Sequence, residues 1–232
     1  MPQFALILLA LLVAGCGETS LTPVISPEAL RQKAAACRLE GKQAEAEALL
    51  AQAIGLQPVA TRDQRATAAD LRRELASLRM AADDLIQVEQ LYLEALTLLE
   101  TSPRGTDAAI VNLRTQLAGL CYRQSRLDEA ARFYRSVLAL EIASLGAEHP
   151  DALGTMSILG GLELKRGNFS EAEAHFRHQL TGVQKLHGVE KRESAAVLDN
   201  LAEVLEKAGQ AVPATKLREE ARRIRHKLCD EC

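Results

Sequence analysis

Small and apolar residues recur along this chain every 42 residues, and the recurrence continues through five units. Within each unit the apolar positions follow the 3.6-residue period of an amphipathic helix twice, with a short break between the two stretches. One position in the second stretch is small in four units and valine in the other: Ala46, Val88, Ala130, Ala172 and Ala214. Because a single helix pair buries little apolar surface by itself, this fixed period indicates a repeat protein built from stacked pairs.

The break between the two stretches falls on residues that can end a helix in left-handed backbone. These residues are Gly41, Asp83, Ser125, Gly167 and Gly209. Glycine adopts that conformation without a steric penalty, and aspartate tolerates it better than serine. The pattern therefore predicts ten helices, near 27–40, 43–55, 61–81, 84–101, 106–124, 127–145, 150–166, 169–187, 192–208 and 211–228.

This pattern resembles tetratricopeptide repeats, in the 42-residue variant of kinesin light chains and many bacterial proteins. The segment LGAEHPDA at 145–152 is similar to the linker of that variant, and LDNLAEVLEKAG at 198–209 is similar to its first helix. The resemblance implies an all-α fold, a right-handed solenoid of about five tetratricopeptide helix pairs across residues 27–228. The expected units lie near 27–58, 59–103, 104–147, 148–189 and 190–228.

Residues 1–15 have the features of a secretion signal. The apolar run from Phe4 to Val13 is too short to span a bilayer as a helix, and it ends in small residues. The sequence Val-Ala-Gly-Cys at 13–16 resembles the lipobox of bacterial lipoproteins, although no Lys or Arg precedes the run. The alternatives are an ordinary signal peptide and an apolar N-terminal helix.

The lipobox resemblance implies that Cys16 is acylated and that residues 16–26 form a lipid-anchored tether. It also implies a place in the bacterial cell envelope. Gly17 stands where an aspartate would retain an enterobacterial lipoprotein at the inner membrane, so the outer membrane, facing the periplasm, is the expected location.

The composition indicates which fold, partners and activities are expected. Aromatic residues make up 3% of the chain and tryptophan is absent, which suits an all-helical array. The net charge is -3 and both signs are mixed along every helix, so nucleic acid is not an expected partner. The sequence contains neither a phosphate-binding glycine loop nor a Ser-His-Asp arrangement, and we expect no enzymatic activity, cofactor or metal.

The remaining cysteines fall into two groups. Cys37 and Cys121 lie on the predicted packed face of a first helix, where buried thiols usually act as small apolar residues. Cys229 and Cys232 belong to a predicted tail at 229–232, where they could pair in an oxidising compartment. A redox or metal role for these two lacks the usual context, since no β-α-β unit precedes them and two thiols alone do not hold zinc.

One histidine pair has the spacing of metal ligands. His175 and His178 follow Glu171 on one predicted helix, but Ala172 and Phe176 already mark its buried face. A solvated helix face is therefore the expected role of this pair.

The first helix of each tetratricopeptide pair lines a groove that holds a peptide or a partner helix. Carried over by position, the candidate groove residues are Asn112, Gln116, Tyr122, Arg123, Lys165, Asp199, Asn200 and Glu203. The leading hypothesis is a non-catalytic, membrane-anchored scaffold that binds an envelope protein or peptide in this groove. The alternative is a structural subunit of an envelope assembly, such as a pilus or secretion apparatus, and a thiol redox or metal-handling protein is a third.

Overall fold

The computed structural model describes residues 25–101, 107–189 and 191–230, so Cys16, the predicted signal peptide and Cys232 lie outside the described residues. Within those ranges the chain forms ten α-helices and no strand. Their bounds are α1 Pro27–Leu39, α2 Gln43–Leu56, α3 Arg62–Ala81, α4 Leu85–Glu100, α5 Asp107–Arg123, α6 Leu127–Leu145, α7 Pro150–Arg166, α8 Phe169–His187, α9 Arg192–Lys207 and α10 Ala211–Asp230. Every predicted helix is present, with each end within two residues of its predicted position. The all-α prediction is confirmed.

Pair one, helices α1 and α2, belongs to a compact unit of its own that ends at Leu56. Helix α1 begins where the sequence has an N-cap and a proline, since the Ser26 side chain accepts a hydrogen bond of 3.2 Å from the Ala29 amide. The buried residues of the pair are Leu30, Ala34, Cys37, Ala46, Leu50 and Ala53. Small residues on both helices allow the two axes to approach closely.

Pairs two to five, helices α3 to α10, form the second compact unit, which begins at Gln57. Each helix of this unit packs against the next one along the chain. Leucines from the first helices are fully enclosed, including Leu117 on α5, Leu159 on α7 and Leu201 on α9. The apolar positions of the 42-residue period therefore form the core, as the repeat pattern predicts.

The turn between the two helices of each pair is left-handed at the predicted residue. Gly167 has φ +79°, while Asp83 and Ser125 have φ +59° and +61°. This conformation lets the next amide, that of Asn168, donate a 2.9 Å hydrogen bond to the Glu163 carbonyl and close the end of α7. The same turn in every pair explains why α-helix bounds could be predicted closely.

Pair four has a close contact between its helices at Gly160. A Cβ atom added to Gly160 would lie 2.7 Å from the Phe176 ring, closer than two carbon atoms can approach. The counterparts of Gly160 in the other units are alanines, and the ring of Phe176 occupies the space that such a methyl group would take.

The outer face of α10 is charged. Its exposed side chains include Glu219, Arg222, Arg223, His226 and Lys227. The fifth pair therefore presents a polar outer face. The prediction that the helix stops at Leu228 is wrong, because α10 continues to Asp230 and places Cys229, exposed, in its last turn.

None of the helices in the described ranges combines the length and the apolar character that crossing a membrane requires.

Candidate partner-binding face

The predicted groove residues lie on the first helices of pairs three, four and five, and we call these eight side chains the first-helix face. Helix α5 carries Asn112, Gln116, Tyr122 and Arg123, α7 carries Lys165, and α9 carries Asp199, Asn200 and Glu203. Asp199 and Asn200 are partly buried, and the other six are exposed. The core leucines of the same helices point the other way, which leaves these polar side chains available at the surface.

Two members of this face meet across the junction of pairs three and four. The Lys165 ammonium lies 4.6 Å from the centre of the Tyr122 ring and donates a hydrogen bond to its hydroxyl. Together with Tyr134, Ile158 and Gly161 they line a half-open pocket of about 300 Å³, which we call the Tyr122 pocket. Tyr122 is 40% exposed and Ile158 47% exposed, so an aromatic ring, an aliphatic chain and an ammonium group are presented together.

Three of the four charged members of the first-helix face are held by ion pairs. Arg123 lies 3.2 Å from the Asp83 carboxylate, Asp199 lies 2.6 Å from Arg225, and Glu203 lies 3.7 Å from Lys207. Asn112 accepts a 3.4 Å hydrogen bond from Arg73. These contacts orient the side chains but also reduce the net charge that the face offers to a partner.

One buried acid was missed by the sequence analysis. Glu163 on α7 is fully buried. Its carboxylate accepts hydrogen bonds from Arg135 at 2.7 Å, from Arg166 at 2.6 Å and from the side-chain amide of Asn168 at 2.7 Å. We call these four residues the Glu163 network. The signal that could have revealed it is the repeat register, since the residues 42 positions away are Cys121 and Leu205, both buried and uncharged.

A second cluster lies beside Cys121, where ligand atoms of Glu89, Cys121 and Glu129 fall within 4.8 Å of one another. Arg126 donates to both carboxylates, at 2.6 Å to Glu89 and 2.7 Å to Glu129. The hydrogen bond to Glu129 is the main reason that the pKa of the Arg126 guanidinium is raised. Burial raises the pKa of the Cys121 thiol, which disfavours the thiolate that a metal requires. The cluster is therefore accounted for as an ion pair between pairs two and three.

The expected role of His175 is wrong. This side chain is half-buried, and burial lowers its pKa, whereas His178 is exposed as predicted. Glu171 is exposed but lies 2.6 Å from Arg135, so it belongs to the surroundings of the Glu163 network. His175 and Glu171 thus take part in packing and ion pairing between helices.

Consecutive antiparallel helix pairs with a left-handed turn inside each pair define a helical-repeat protein. The tetratricopeptide repeat family profile matches residues 110–181 and 151–227, which together exceed half of the chain. The chain belongs to the tetratricopeptide repeat family. A comparison with curated proteins gives no match.

Solved structures with similar folds include proteins with tetratricopeptide repeats. A kinesin light chain from Podosopora anserina with nearly identical repeats is 21% identical, with a TM-score of 0.67, and the match covers 88% of this chain and 98% of that one. MamA is 11% identical, with a TM-score of 0.55, over 88% of this chain and 94% of that one. The tetratricopeptide sensor protein of the signal transduction ATPase class from Pyrococcus horikoshii is 18% identical, with a TM-score of 0.59, over 85% of this chain and 29% of that one.

These similarities establish the fold of the chain. Tetratricopeptide repeat proteins are typically non-catalytic scaffolds, and the fold implies protein partners.

Proposed function

We propose that this protein is a non-catalytic scaffold of the bacterial envelope that binds a protein or peptide partner on its first-helix face, centred on the Tyr122 pocket. A lipid at Cys16 holds the scaffold at the membrane, by our proposal the outer membrane, facing the periplasm. The anchor rests on the sequence from Val13 to Cys16, and the choice of the outer membrane rests on the absence of aspartate at position 17.

The observation that carries the binding proposal is the exposure of Tyr122 and Ile158 on neighbouring first helices. Exposed tyrosines beside apolar side chains are common at the centres of protein interfaces, where a few residues supply most of the binding free energy. Lys165 adds a charge next to the ring, so a partner with an apolar side chain and a nearby acceptor is favoured. Gln116 and Asn200 can donate and accept, and their contact with a partner backbone stays a prediction.

The charge on α10 favours this proposal over the assembly subunit. An assembly joined through its end faces needs an apolar patch there, because stable interfaces are apolar at their centres. The exposed face of α10 instead carries Arg222, Arg223 and Lys227. A redox role through Cys229 and Cys232 has no supporting contact in the part of the chain that the structure describes.

The experiment that tests the proposal is crosslinking in intact cells, followed by identification and quantification of the captured protein. Tyr122→Ala should reduce capture of the partner at least about tenfold, because it removes the ring at the centre of the Tyr122 pocket. The thermal unfolding midpoint should change little, since the side chain is 40% exposed.

The matched control is Leu93→Ala on α4, a second helix, where the side chain is 42% exposed and a similar apolar surface is removed. Leu93→Ala should leave capture unchanged. If Leu93→Ala abolished capture while Tyr122→Ala did not, the partner would bind the second helices and the proposal would be wrong.

A further inference from the structure

A cleft separate from the Tyr122 pocket lies where the start of α5, the end of α6 and the start of α7 meet. Its volume is about 450 Å³, and it is half open to solvent. Apolar walls come from Ala108, Val111 and Leu145, and polar groups come from Thr115, Glu141 and Asp151. A cleft of this size with apolar walls and a few polar groups is typical of a site that takes one side chain or small ligand.

Glu141 is the distinctive residue of this cleft. It is 7% exposed, and its Oε2 atom has no hydrogen-bond partner among the described residues. A buried carboxylate oxygen without a partner is unfavourable, and native structures rarely contain one without a reason. Because Glu141 lines the cleft, a ligand in the cleft can supply the missing donor.

The repeat register shows that packing does not require a carboxylate here. The residues 42 positions before and after Glu141 are Leu99 and Val183, both buried. The neighbouring Thr155, also buried, corresponds to Leu113 and Val197. Two core positions that are apolar in the adjacent units are therefore polar beside this cleft.

The charges around Glu141 select a cationic ligand. Asp151 is a second carboxylate on the cleft. Burial is the main reason that the pKa of Glu141 is raised, and the Asp151 carboxylate also raises it. The Thr155 hydroxyl and His149 act in the opposite direction, with a smaller effect than burial. The His149 Nδ1 atom lies 3.5 Å from the Asp151 carboxylate but accepts a hydrogen bond from the Asp151 amide, so the cleft presents two carboxylates, those of Glu141 and Asp151, to a ligand.

We propose that this cleft binds the ammonium or guanidinium group of a lysine or arginine side chain from the protein partner. The cationic group donates to Glu141 Oε2, and the aliphatic stem packs against Val111 and Leu145. A metal ion fits less well, because the one close cluster of ligand atoms in the described ranges is the separate group around Cys121. This inference rests on the proposed function, and it adds the chemical class of the side chain that the partner inserts.

The test uses short peptides and the full chain. The probe is acetyl-Ala-Ala-Arg-Ala-Ala-amide, with the lysine peptide as a second probe and the norleucine peptide as an uncharged match. We expect the arginine and lysine peptides to shift the NMR signals of α5 and α6 residues at the cleft and the norleucine peptide to leave them in place. Equal shifts with norleucine would overturn the inference, because the site would then recognise only the aliphatic stem.

Two variants locate the binding. Glu141→Gln keeps the shape of the side chain but removes its charge, and it should raise the peptide dissociation constant at least tenfold. Glu193→Gln removes an exposed carboxylate at the position 42 residues after Asp151, so it is the matched control and should leave the dissociation constant unchanged. Glu141→Leu introduces the residue type found 42 positions earlier, at Leu99. Loss of peptide binding in this variant with an unchanged unfolding midpoint would exclude misfolding as the cause.

A third measurement distinguishes a side chain of the partner from a free small amine as the source of the cation. Free 1,5-diaminopentane should bind much more weakly than the peptides, because it lacks the peptide backbone; equal affinity would mean that the cleft holds a small amine and not a partner side chain. The Tyr122→Ala experiment is independent of this cleft. Partner capture that depends on Tyr122 but is unaffected by Glu141→Gln would overturn this inference and leave the proposed function standing.

Discussion

Glu163 shows how this chain places a charge at a position that is uncharged in adjacent units. Its carboxylate is neutralised by Arg135 and Arg166, and each of these arginines also reaches an exposed acid, Glu171 at 2.6 Å and Asp128 at 2.9 Å. A buried ion is tolerated only when its hydrogen bonds are satisfied, and three donors, Arg135, Arg166 and the Asn168 side-chain amide, meet that condition here.

Glu163→Ala should lower the free energy of unfolding by about 2–4 kcal/mol, because it leaves a cavity and removes the acceptor of the Asn168 amide. The two arginines retain their exposed acids, so the loss does not reach that of a stranded buried charge. Urea unfolding at neutral pH measures the change. Glu148→Ala, which removes an exposed acid paired with Lys185, is the control and should stay within about 0.5 kcal/mol. Equal losses in the two variants would show that the Glu163 network does not stabilise the fold.

Sequence periodicity could predict where the core lies but not which core positions are polar. In the adjacent units, the 42-residue register places uncharged, buried residues at the positions of Glu141 and Glu163. Whether a charge there is paired depends on residues from another helix, such as Arg135, and the register carries no information on that contact. For the same reason His175 was assigned to a solvated face. The placement of Tyr122 and Lys165 on first helices could be predicted from the family pattern, whereas the contact between their side chains could not.

Helices α7 and α8 approach closely because Gly160 has no side chain. The ring of Phe176 fills the space beside it, whereas pair one has Ala34 and Leu50 at the two corresponding positions. Pair four thus matches a glycine on its first helix with a large ring on its second, which keeps the two helices packed at high density.

Gly160→Ala should destabilise the protein by about 1–3 kcal/mol, because the added methyl group overlaps the Phe176 ring. Adding Phe176→Leu reproduces the combination found in pair one and should recover part of that loss, giving a coupling of about 0.5–3 kcal/mol in a double-mutant cycle. Gly161→Ala is the control, since nothing lies within 4 Å of its added Cβ, and it should be neutral or stabilising. Strictly additive effects of Gly160→Ala and Phe176→Leu would contradict the packing argument.

At the scale of the whole molecule, a membrane anchor and a partner-binding face would together fix a partner close to the bilayer. The tether from Cys16 to residue 26 spans about 35 Å at most when fully extended, so the partner would be bound within a few tens of ångströms of the lipid surface. Two or more acyl chains hold a protein stably at a membrane, whereas one chain is marginal.

Cys16→Ser should abolish acylation, so the protein should stay unprocessed. The wild-type protein should fractionate with membranes, and mass spectrometry should find acyl mass on its N-terminal peptide starting at Cys16. Cys229→Ser, at an exposed thiol in α10, is the control and should keep both properties. An intact peptide beginning at Met1 in the mature wild-type protein would contradict the anchor.

The ion pairs at the junctions between helix pairs limit how this protein can be divided. Repeat proteins are commonly treated as modular, with units that can be added or removed one at a time. Here Arg126 of pair three is bonded to Glu89 of pair two, and Glu163 of pair four is bonded to Arg135 of pair three. A truncation between residues 145 and 150 would therefore separate the Glu163 carboxylate from the Arg135 guanidinium. A shortened variant should be cut where both members of an ion pair stay on the same side.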